Sequence, residues 1–120
     1  MSEISRISAT PPGVALGPVT LIAENGARNF VIQTRTGRFH GFVVRRGAAV
    51  HGYVDRCPHA GLLLAQVLDE YLTADKRLVA CSWHGALFDP ENGVCVGGPC
   101  IGQRLTHWPV AVIDGQLRTV

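Results

Sequence analysis

The chain has 120 residues, of which 47% are hydrophobic and 17% charged, so its length and composition are those of one globular domain and exclude a disordered or fibrous protein. Eleven basic residues against nine acidic ones give a formal net charge of +2, and the basic residues are scattered. This distribution argues against a nucleic-acid-binding surface and against a polybasic membrane patch.

Residues 1–9 lack the apolar run of a secretory signal, and no window approaches the about 18 uncharged apolar residues of a membrane span. We therefore expect a cytoplasmic protein that does not bind a membrane. In a reducing compartment, the four cysteines are expected to be ligands or buried thiols and not disulfides.

Short segments rich in Val, Ile, Phe and Tyr, separated by turn-forming residues, predict a mostly β chain. Residues 9–17 contain two prolines and two glycines and are predicted to form a loop or a frayed lead-in. The predicted strands that follow are 28–34, 38–46, 48–55, 108–113 and 116–120. The first three would form a meander. The last two would form a hairpin, because Asp114-Gly115 suits a two-residue turn. The stretch 62–72 fits both a helical face and a buried strand, and stays open.

Two short motifs combine cysteine and histidine at close spacing. Cys57 and His59 form a Cys-x-His motif, and Cys81 and His84 form a Cys-x-x-His motif that is followed by Gly85. Side chains one or two residues apart on a tight turn can point at the same ion, and a following glycine lets the backbone bend closely around it. The two motifs therefore predict one site with four ligands.

This pair of motifs resembles that of the Rieske family of [2Fe–2S] proteins. The resemblance continues downstream, where residues 86–89, Asn92-Gly93 and residues 97–99 are similar to the family's strand, turn and third loop, which covers the cluster. It extends over about residues 43–109, which is most of the chain.

The resemblance implies an all-β fold, namely an antiparallel β-sandwich with a small cluster-binding subdomain that contains two ligand loops and the covering third loop. We accordingly expect one domain over residues 1–120. Its cluster-binding subdomain would occupy about residues 56–100, and its basal β domain would be built from about residues 17–55 and 101–120.

The resemblance also implies the cofactor, which is one [2Fe–2S] cluster per chain. Cys57 and Cys81 would bind one iron, and His59 and His84 the other, as in Rieske centres generally. With neutral imidazoles, the oxidised cluster and its two thiolates sum to zero charge, whereas four thiolates would give minus two. Adding an electron to a neutral group costs less, so the reduction potential rises. The exposed imidazole edges would be the port for electrons, and their protonation would couple to reduction at alkaline pH.

The chain departs from the high-potential branch of the family at four positions. Leu62 and Trp83 stand where that branch has a disulfide, and Ala86 and Phe88 stand where it has a serine and a tyrosine that donate hydrogen bonds to sulfur. A hydrogen bond to a charged acceptor is worth about 1.5–3 kcal/mol. Losing two of them corresponds to on the order of 100–250 mV for one electron. A low-potential centre is therefore expected.

This combination is typical of a one-electron carrier without catalytic residues of its own. About twenty residues of this sequence follow the third loop, and they are assigned to the terminal hairpin, so we do not expect a mononuclear iron site among them. The expected partners are a flavin reductase as electron donor and an oxygenase or reductase as acceptor. A small apolar surface around the ligands would meet them, built from Ala60, Leu62, Trp83, Pro99 and Ile101.

Other functions remain open at this point. A structural zinc site with Cys2His2 ligation would use the same four side chains in a non-redox binding domain, although zinc does not call for the third loop. A Rieske small subunit of a nitrite-reductase-like enzyme would share all the features above.

The remaining cysteines and histidines are assigned structural roles. Cys95 and Cys100 are expected to be buried small hydrophobes, with a bridge between them as the alternative. His40, His51 and His107 are expected not to be ligands. Trp108 is predicted to lie in the core, and Arg45-Arg46 to form a solvated turn.

Overall fold

Ten strands make up the sheets of the described residues, which are 6–58, 63–65, 67–82 and 85–120 of this computed structural model. A single 3₁₀ turn lies at Val19–Leu21 within those ranges. The strands are β1 Arg6–Ile7, β2 Ala15–Pro18, β3 Ala27–Gln33, β4 Arg38–Arg46, β5 Ala49–Val54, β6 Val79–Ala80, β7 Leu87–Phe88, β8 Cys95–Gly97, β9 Val110–Ile113 and β10 Gln116–Thr119.

The strands form three small sheets. In the first, β3, β4 and β5 are an antiparallel meander, and the two-residue strand β1 pairs with β4 in parallel. The second sheet has the order β2-β10-β9, and the third has the order β6-β7-β8, both antiparallel. The all-β, antiparallel prediction is confirmed, and among the described strands the short pairing of β1 with β4 is parallel.

Strand β4 lies between two hydrophobic cores. Successive side chains of a strand point to opposite faces. Phe39 and Val43 pack on one side in a core that includes Trp108 and Leu117, and Phe42 packs on the other side. The second core holds side chains from β6, β7 and β8 together with all four cysteines. The meander therefore supports both the second sheet and the cysteine-rich end of the molecule.

The strands of the meander and of the terminal hairpin lie close to their predicted positions. Strand β4 coincides with the predicted range 38–46, and β3 begins and ends one residue before its predicted bounds. The hairpin turn is confirmed. Asp114 and Gly115 have φ angles of 51° and 75°, and positive φ at both central residues is what a type I′ turn requires. Trp108 is buried as predicted.

The loop predicted over residues 9–17 is wrong at its carboxyl end. Residues from Ala15 onward form β2, which pairs with β10 through Gly17 and Leu117. The amide of Val14 also donates to the hydroxyl of Thr119 at 2.8 Å. The local residues are typical of a loop, but a partner strand about a hundred positions away supplies the hydrogen bonds that make them a strand.

The stretch 62–72, which the sequence left undecided, contains neither a helix nor a strand in its described residues. Leu72 makes an isolated antiparallel bridge with Val79, while Leu62 lies outside the described residues. No helix in the described ranges is long and apolar enough to cross a bilayer.

Candidate metal centre

Two of the four predicted ligands, Cys57 and Cys81, lie shortly after the ends of strands. Cys57 comes three residues after the last residue of β5, and Cys81 directly follows β6. Their side chains are 0% and 1% exposed and belong to the same buried core. His59 and His84 lie outside the described residues, so their place at the site stays a prediction. The fold thus gathers the two thiols of the predicted ligand set at one end of the molecule.

Backbone hydrogen bonds hold the two predicted ligand segments, of which the first follows Cys57 and the second follows Cys81. The amide of Ser82 donates to the carbonyl of Leu64 at 2.7 Å, which joins the chain after the second cysteine to the chain after the first. The amide of Cys81 donates to the carbonyl of Ala86 at 2.8 Å, and the amide of Gly85 donates to the carbonyl of Cys81 at 3.1 Å. The second ligand segment is therefore a closed turn that is tied to the first.

A buried carboxylate holds the first segment in place. Asp55, only 2% exposed, accepts a hydrogen bond from the amide of Leu64 at Oδ1 (2.9 Å) and one from the hydroxyl of Tyr71 at Oδ2 (2.7 Å). The side-chain amide of Asn29 donates to the Tyr71 oxygen at 2.7 Å and to Asp55 Oδ2 at 3.4 Å. A buried charge is stable only where its oxygens are satisfied in this way.

Tyr71 keeps its proton in this network. Burial, and then the negative charge of Asp55, raise the pKa of the Tyr71 phenol far above its usual range. The ring stacks on Phe42 with 4.3 Å between centroids and 10° between planes. Tyr71 is thus a fixed hydrogen-bond donor that connects the core of the meander to the carboxylate below the first ligand segment.

The third loop packs directly on the second ligand segment. Gly98 has a φ of 83°, and a Cβ built on it would lie 2.8 Å from Ala86 Cα and 3.0 Å from the carbonyl oxygen of Gly85. Real side chains do not approach backbone so closely, so only glycine fits here. Farther along the loop, Pro99 is exposed, as is 71% of Ile101. The described part of the predicted apolar surface is therefore open to solvent.

Cys95 and Cys100 lie in the same core as the predicted ligands Cys57 and Cys81. They are 3% and 1% exposed, which confirms that they are buried, and no disulfide joins any of the four cysteines, all of which lie in the described ranges. The Cys100 thiol donates to the sulfur of Cys95, with 2.7 Å between the two Sγ atoms, and Cys95 donates to the carbonyl of Gly97 at 3.1 Å. Burial, then the hydrogen bond with Cys95 and the thiols around it, raise the pKa of Cys100 to about 12.

The described residues fit an iron–sulfur group but do not complete its ligand set. Thiolates are the soft ligands that such clusters use, and here two of them lie in an apolar core beneath a closely packed glycine loop. In the described ranges, no group of three or more His, Cys, Asp or Glu side chains is arranged to hold a metal ion. A four-ligand site therefore depends on the two histidines outside those ranges.

Comparison with known families settles which kind of cluster protein this is. The family model of the Rieske [2Fe-2S] domain matches residues 18–114, which is well over half of the chain. The chain belongs to the Rieske [2Fe–2S] domain family. It accordingly carries one [2Fe–2S] cluster, and this Rieske protein is a component for electron transfer through that cluster. No curated protein sequence matches it.

Solved structures share the fold of this Rieske protein at low sequence identity. The ferredoxin of carbazole 1,9a-dioxygenase from Nocardioides aromaticivorans IC177 is 18% identical with a TM-score of 0.68, over 92% of this chain and 98% of that one. A structure of the complex between reduced oxygenase and oxidized ferredoxin in carbazole 1,9a-dioxygenase gives 20% identity and a TM-score of 0.69, over 89% of this chain and 91% of that one. The terminal oxygenase from Novosphingobium sp. KA1 gives 22% and 0.70, over 90% of this chain but only 30% of that one.

Sequence reasoning missed the polar network under the first ligand segment. Asp55 carries one available signal, because a carboxylate two residues before a predicted ligand cysteine, at the end of an apolar strand, needs buried donors. Asn29 and Tyr71 carry none, because each looks like an ordinary strand or core residue until the fold brings them together.

Proposed function

We propose that this Rieske protein is a ferredoxin-like carrier, or a small electron-transfer subunit, that passes single electrons to an oxygenase or reductase and is not itself catalytic. The observation that carries the proposal is the pair of buried thiols, Cys57 and Cys81, on segments tied together by the Ser82 to Leu64 hydrogen bond beneath the Gly98 loop. With His59 and His84, these cysteines would complete the cluster's ligands.

The residues of the chain would act on the cluster in distinct ways. The thiolates of Cys57 and Cys81 would bind one iron of the cluster from buried positions. Asp55 and Tyr71 would keep the first segment at a constant distance from the second, through Leu64. The Gly98 loop would exclude water from the second segment. A site held in this way changes little on reduction, which suits a group that only gains and loses an electron.

Substitution of single ligands tests the assignment. His59→Ala, His84→Ala and Cys81→Ser should each lose two iron and two acid-labile sulfides per chain, together with the visible absorption and the Rieske signal in electron paramagnetic resonance. His107→Ala is the matched control, because His107 is exposed and lies against the ring of Tyr53, and it should keep the signal. A normal Rieske signal from the His84→Ala protein would show that the ligand assignment is wrong, and a colourless wild-type protein with one zinc would favour the zinc-stabilised binding domain.

We also propose that the centre has a low potential. Ala86 and Phe88 are both fully buried, and neither side chain can donate a hydrogen bond to a sulfur. Voltammetry should give a value near the bottom of the range of about −150 to +300 mV for Rieske sites, and a value above about +100 mV would contradict the proposal. Ala86→Ser should raise the potential by roughly 60–130 mV, because its hydroxyl can donate a hydrogen bond to a sulfur of the cluster. Ala111→Ser, on β9, should leave it unchanged.

We expect the reduction potential to depend on pH only under alkaline conditions. The imidazoles of His59 and His84 would lose a proton more readily from the oxidised cluster, so the potential should fall as the pH rises through that range. A potential that is independent of pH up to about 10 would remove this coupling.

The acceptor we propose is an oxygenase, and the donor a flavin reductase, in the cytoplasm. Support comes from the fold shared with ferredoxins and from the exposed apolar residues Pro99 and Ile101 on the covering loop. Ile101→Asp should slow electron transfer to the acceptor without changing the potential, whereas Ile113→Asp, on the terminal hairpin, should not. Neighbouring genes identify the partner. A flavin reductase and an oxygenase would favour the proposal, and a large sirohaem subunit would favour the nitrite-reductase-like alternative.

A further inference from the structure

Two thiols next to the candidate metal centre have no role in the proposed function. Cys95 and Cys100 lie outside both ligand motifs, yet they share the buried core with Cys57 and Cys81. We propose that Cys95 and Cys100 are a site of reversible disulfide formation, which closes the third loop when the protein meets a low-molecular-weight disulfide of the glutathione type.

The sulfur atoms are already close to bonding distance. Their Sγ atoms are 2.7 Å apart, and a disulfide bond is about 2.04 Å long, so they need to approach by roughly 0.7 Å. Cys95 is the first residue of β8, and Cys100 lies three residues after its end. A bridge between them would therefore close a short loop without moving a distant element.

The backbone holds the two cysteines facing each other. The amide of Cys95 donates to the carbonyl of Gln103 at 2.8 Å, and the amide of Gln103 donates to the carbonyl of Cys100 at 2.9 Å. Gln103 thus ties both ends of the segment together, and Gly98 at positive φ turns the chain between them. Most of the entropy of closing this loop has been lost in the fold before any bridge forms.

Reagents can reach the thiols through a small opening of the loop. The sulfurs point into the core, but Val96 and Ile101 next to them are exposed, so the segment itself runs along the surface. A loop with solvent on its outer side opens at a lower free energy than a core strand does. Exchange is therefore expected to be slow but to occur without global unfolding.

The reaction balances without any other redox group. The sulfur of one cysteine attacks a sulfur of the reagent R–S–S–R, its own proton and the departing sulfur leave as R–SH, and a mixed disulfide forms. The sulfur of the second cysteine then attacks the protein sulfur of that mixed disulfide and releases a second R–SH. Together the two thiols lose two electrons and two protons to the reagent, and an excess of R–SH reverses both steps.

The bridge would act on the covering loop, a consequence that rests on the proposed function. Gly98 lies between the two cysteines and packs on Gly85 and Ala86 of the second ligand segment. Closing the loop restricts its opening, so iron should be lost to a chelator roughly three- to tenfold more slowly from the bridged form.

The test uses the cluster-loaded protein, equilibrated without oxygen in mixtures of reduced and oxidised glutathione. After acid trapping, alkylation and peptide mass mapping, the oxidised end of the series should show one bridge between residues 95 and 100, and the reduced end four alkylated cysteines. Cys95→Ser and Cys100→Ser should show no intramolecular bridge, and Cys100→Ala gives a second variant that keeps an apolar side chain in the core.

Alkylation of both Cys95 and Cys100 at every glutathione ratio would overturn the proposal, as would a bridge from either of them to Cys57 or Cys81. Iron content and the electron paramagnetic resonance signal of the same samples report on the ligand assignment separately. The doubly substituted Cys95→Ser, Cys100→Ser protein controls for the buffer in the chelator assay, and its rate of iron loss should not depend on the glutathione ratio. An equal rate for the bridged and reduced wild-type forms would show that the bridge does not restrain the loop.

Discussion

The two ends of this molecule are held together by different forces. The basal end has long paired strands and an aromatic core, in which Trp108 contacts Phe39 and Phe30 at 4.7 and 6.1 Å between ring centroids. At the cluster end, the strands β6, β7 and β8 of the described ranges have two or three residues each. This end depends instead on single hydrogen bonds, such as those of Asp55 and Ser82, and on the close approach of Gly98. Changes at the basal end should therefore alter the free energy of unfolding, and changes at the cluster end should alter cluster retention as well.

Trp108→Ala should produce the largest change in the free energy of unfolding. Removing this side chain leaves a cavity among Phe30, Phe39 and Leu117, and such substitutions cost about 3–5 kcal/mol. Urea unfolding followed by circular dichroism measures the loss, with the half-exposed Ile113→Ala as a control that should lose less than about 1 kcal/mol. The folded fraction of Trp108→Ala should keep the normal Rieske signal. A changed signal would show that the packing of the basal end affects the cluster end.

Gly98→Ala should produce the next largest loss of stability. Comparison with Gly102→Ala distinguishes a steric clash from backbone strain. Both Gly98 and Gly102 have positive φ, but a Cβ on Gly98 meets Ala86 whereas a Cβ on Gly102 meets nothing within 4 Å. We expect a loss of about 2–4 kcal/mol for Gly98→Ala and about 1–2 kcal/mol for Gly102→Ala. Iron loss to a chelator should be faster only in the first. Equal effects would mean that the third loop is held by its own backbone and not by contact with the second ligand segment.

Tyr71→Phe tests the polar network against a matched partner. Both Tyr71 and Tyr53 are buried tyrosines that pack on Phe42, and each donates one hydrogen bond, to Asp55 and to the carbonyl of Pro90 respectively. Each substitution to phenylalanine should cost about 1–3 kcal/mol, because it leaves a buried acceptor short of a donor.

Only Tyr71→Phe should also speed the loss of iron, because Asp55 holds Leu64 and the first ligand segment. Measured rates of iron release that are the same in Tyr71→Phe and Tyr53→Phe would contradict a positioning role for the network.

The smallest expected effect is a dependence of stability on alkaline pH. Burial, and then the charges of Asp89 and Glu91, raise the pKa of Tyr53 to about 12, whereas an unfolded tyrosine ionises near pH 10. Above pH 10 the unfolded chain has released this proton and the folded chain has not, so rising pH favours unfolding up to about pH 12. Urea midpoints should fall over this window in the wild type and fall less steeply in Tyr53→Phe. Identical slopes in the two proteins would show that the ionisation of Tyr53 does not contribute to the loss of stability at alkaline pH.

Local patterns predicted the elements whose partners are close in sequence. The range of β4 and the Asp114-Gly115 turn follow from alternation and turn chemistry, and both involve neighbours a few residues away. Strand β2 was missed because its hydrogen bonds come from β10, at the other end of the chain. The candidate site divides in the same way. Its cysteine motifs are local, whereas the network of Asn29, Asp55 and Tyr71 joins three separate segments.

The sequence by itself therefore determined the family and its cofactor, because the close spacing of cysteine and histidine in the two motifs is a local property of the chain. Only the tertiary structure decided what holds and surrounds Cys57 and Cys81, the two predicted ligands that it describes. The carboxylate of Asp55 meets the side-chain amide of Asn29 only after β3, β4 and β5 have paired, and Tyr71 completes this network from a third segment. Burial and hydrogen bonding between distant segments depend on how the sheets pack, and no local pattern contains that information.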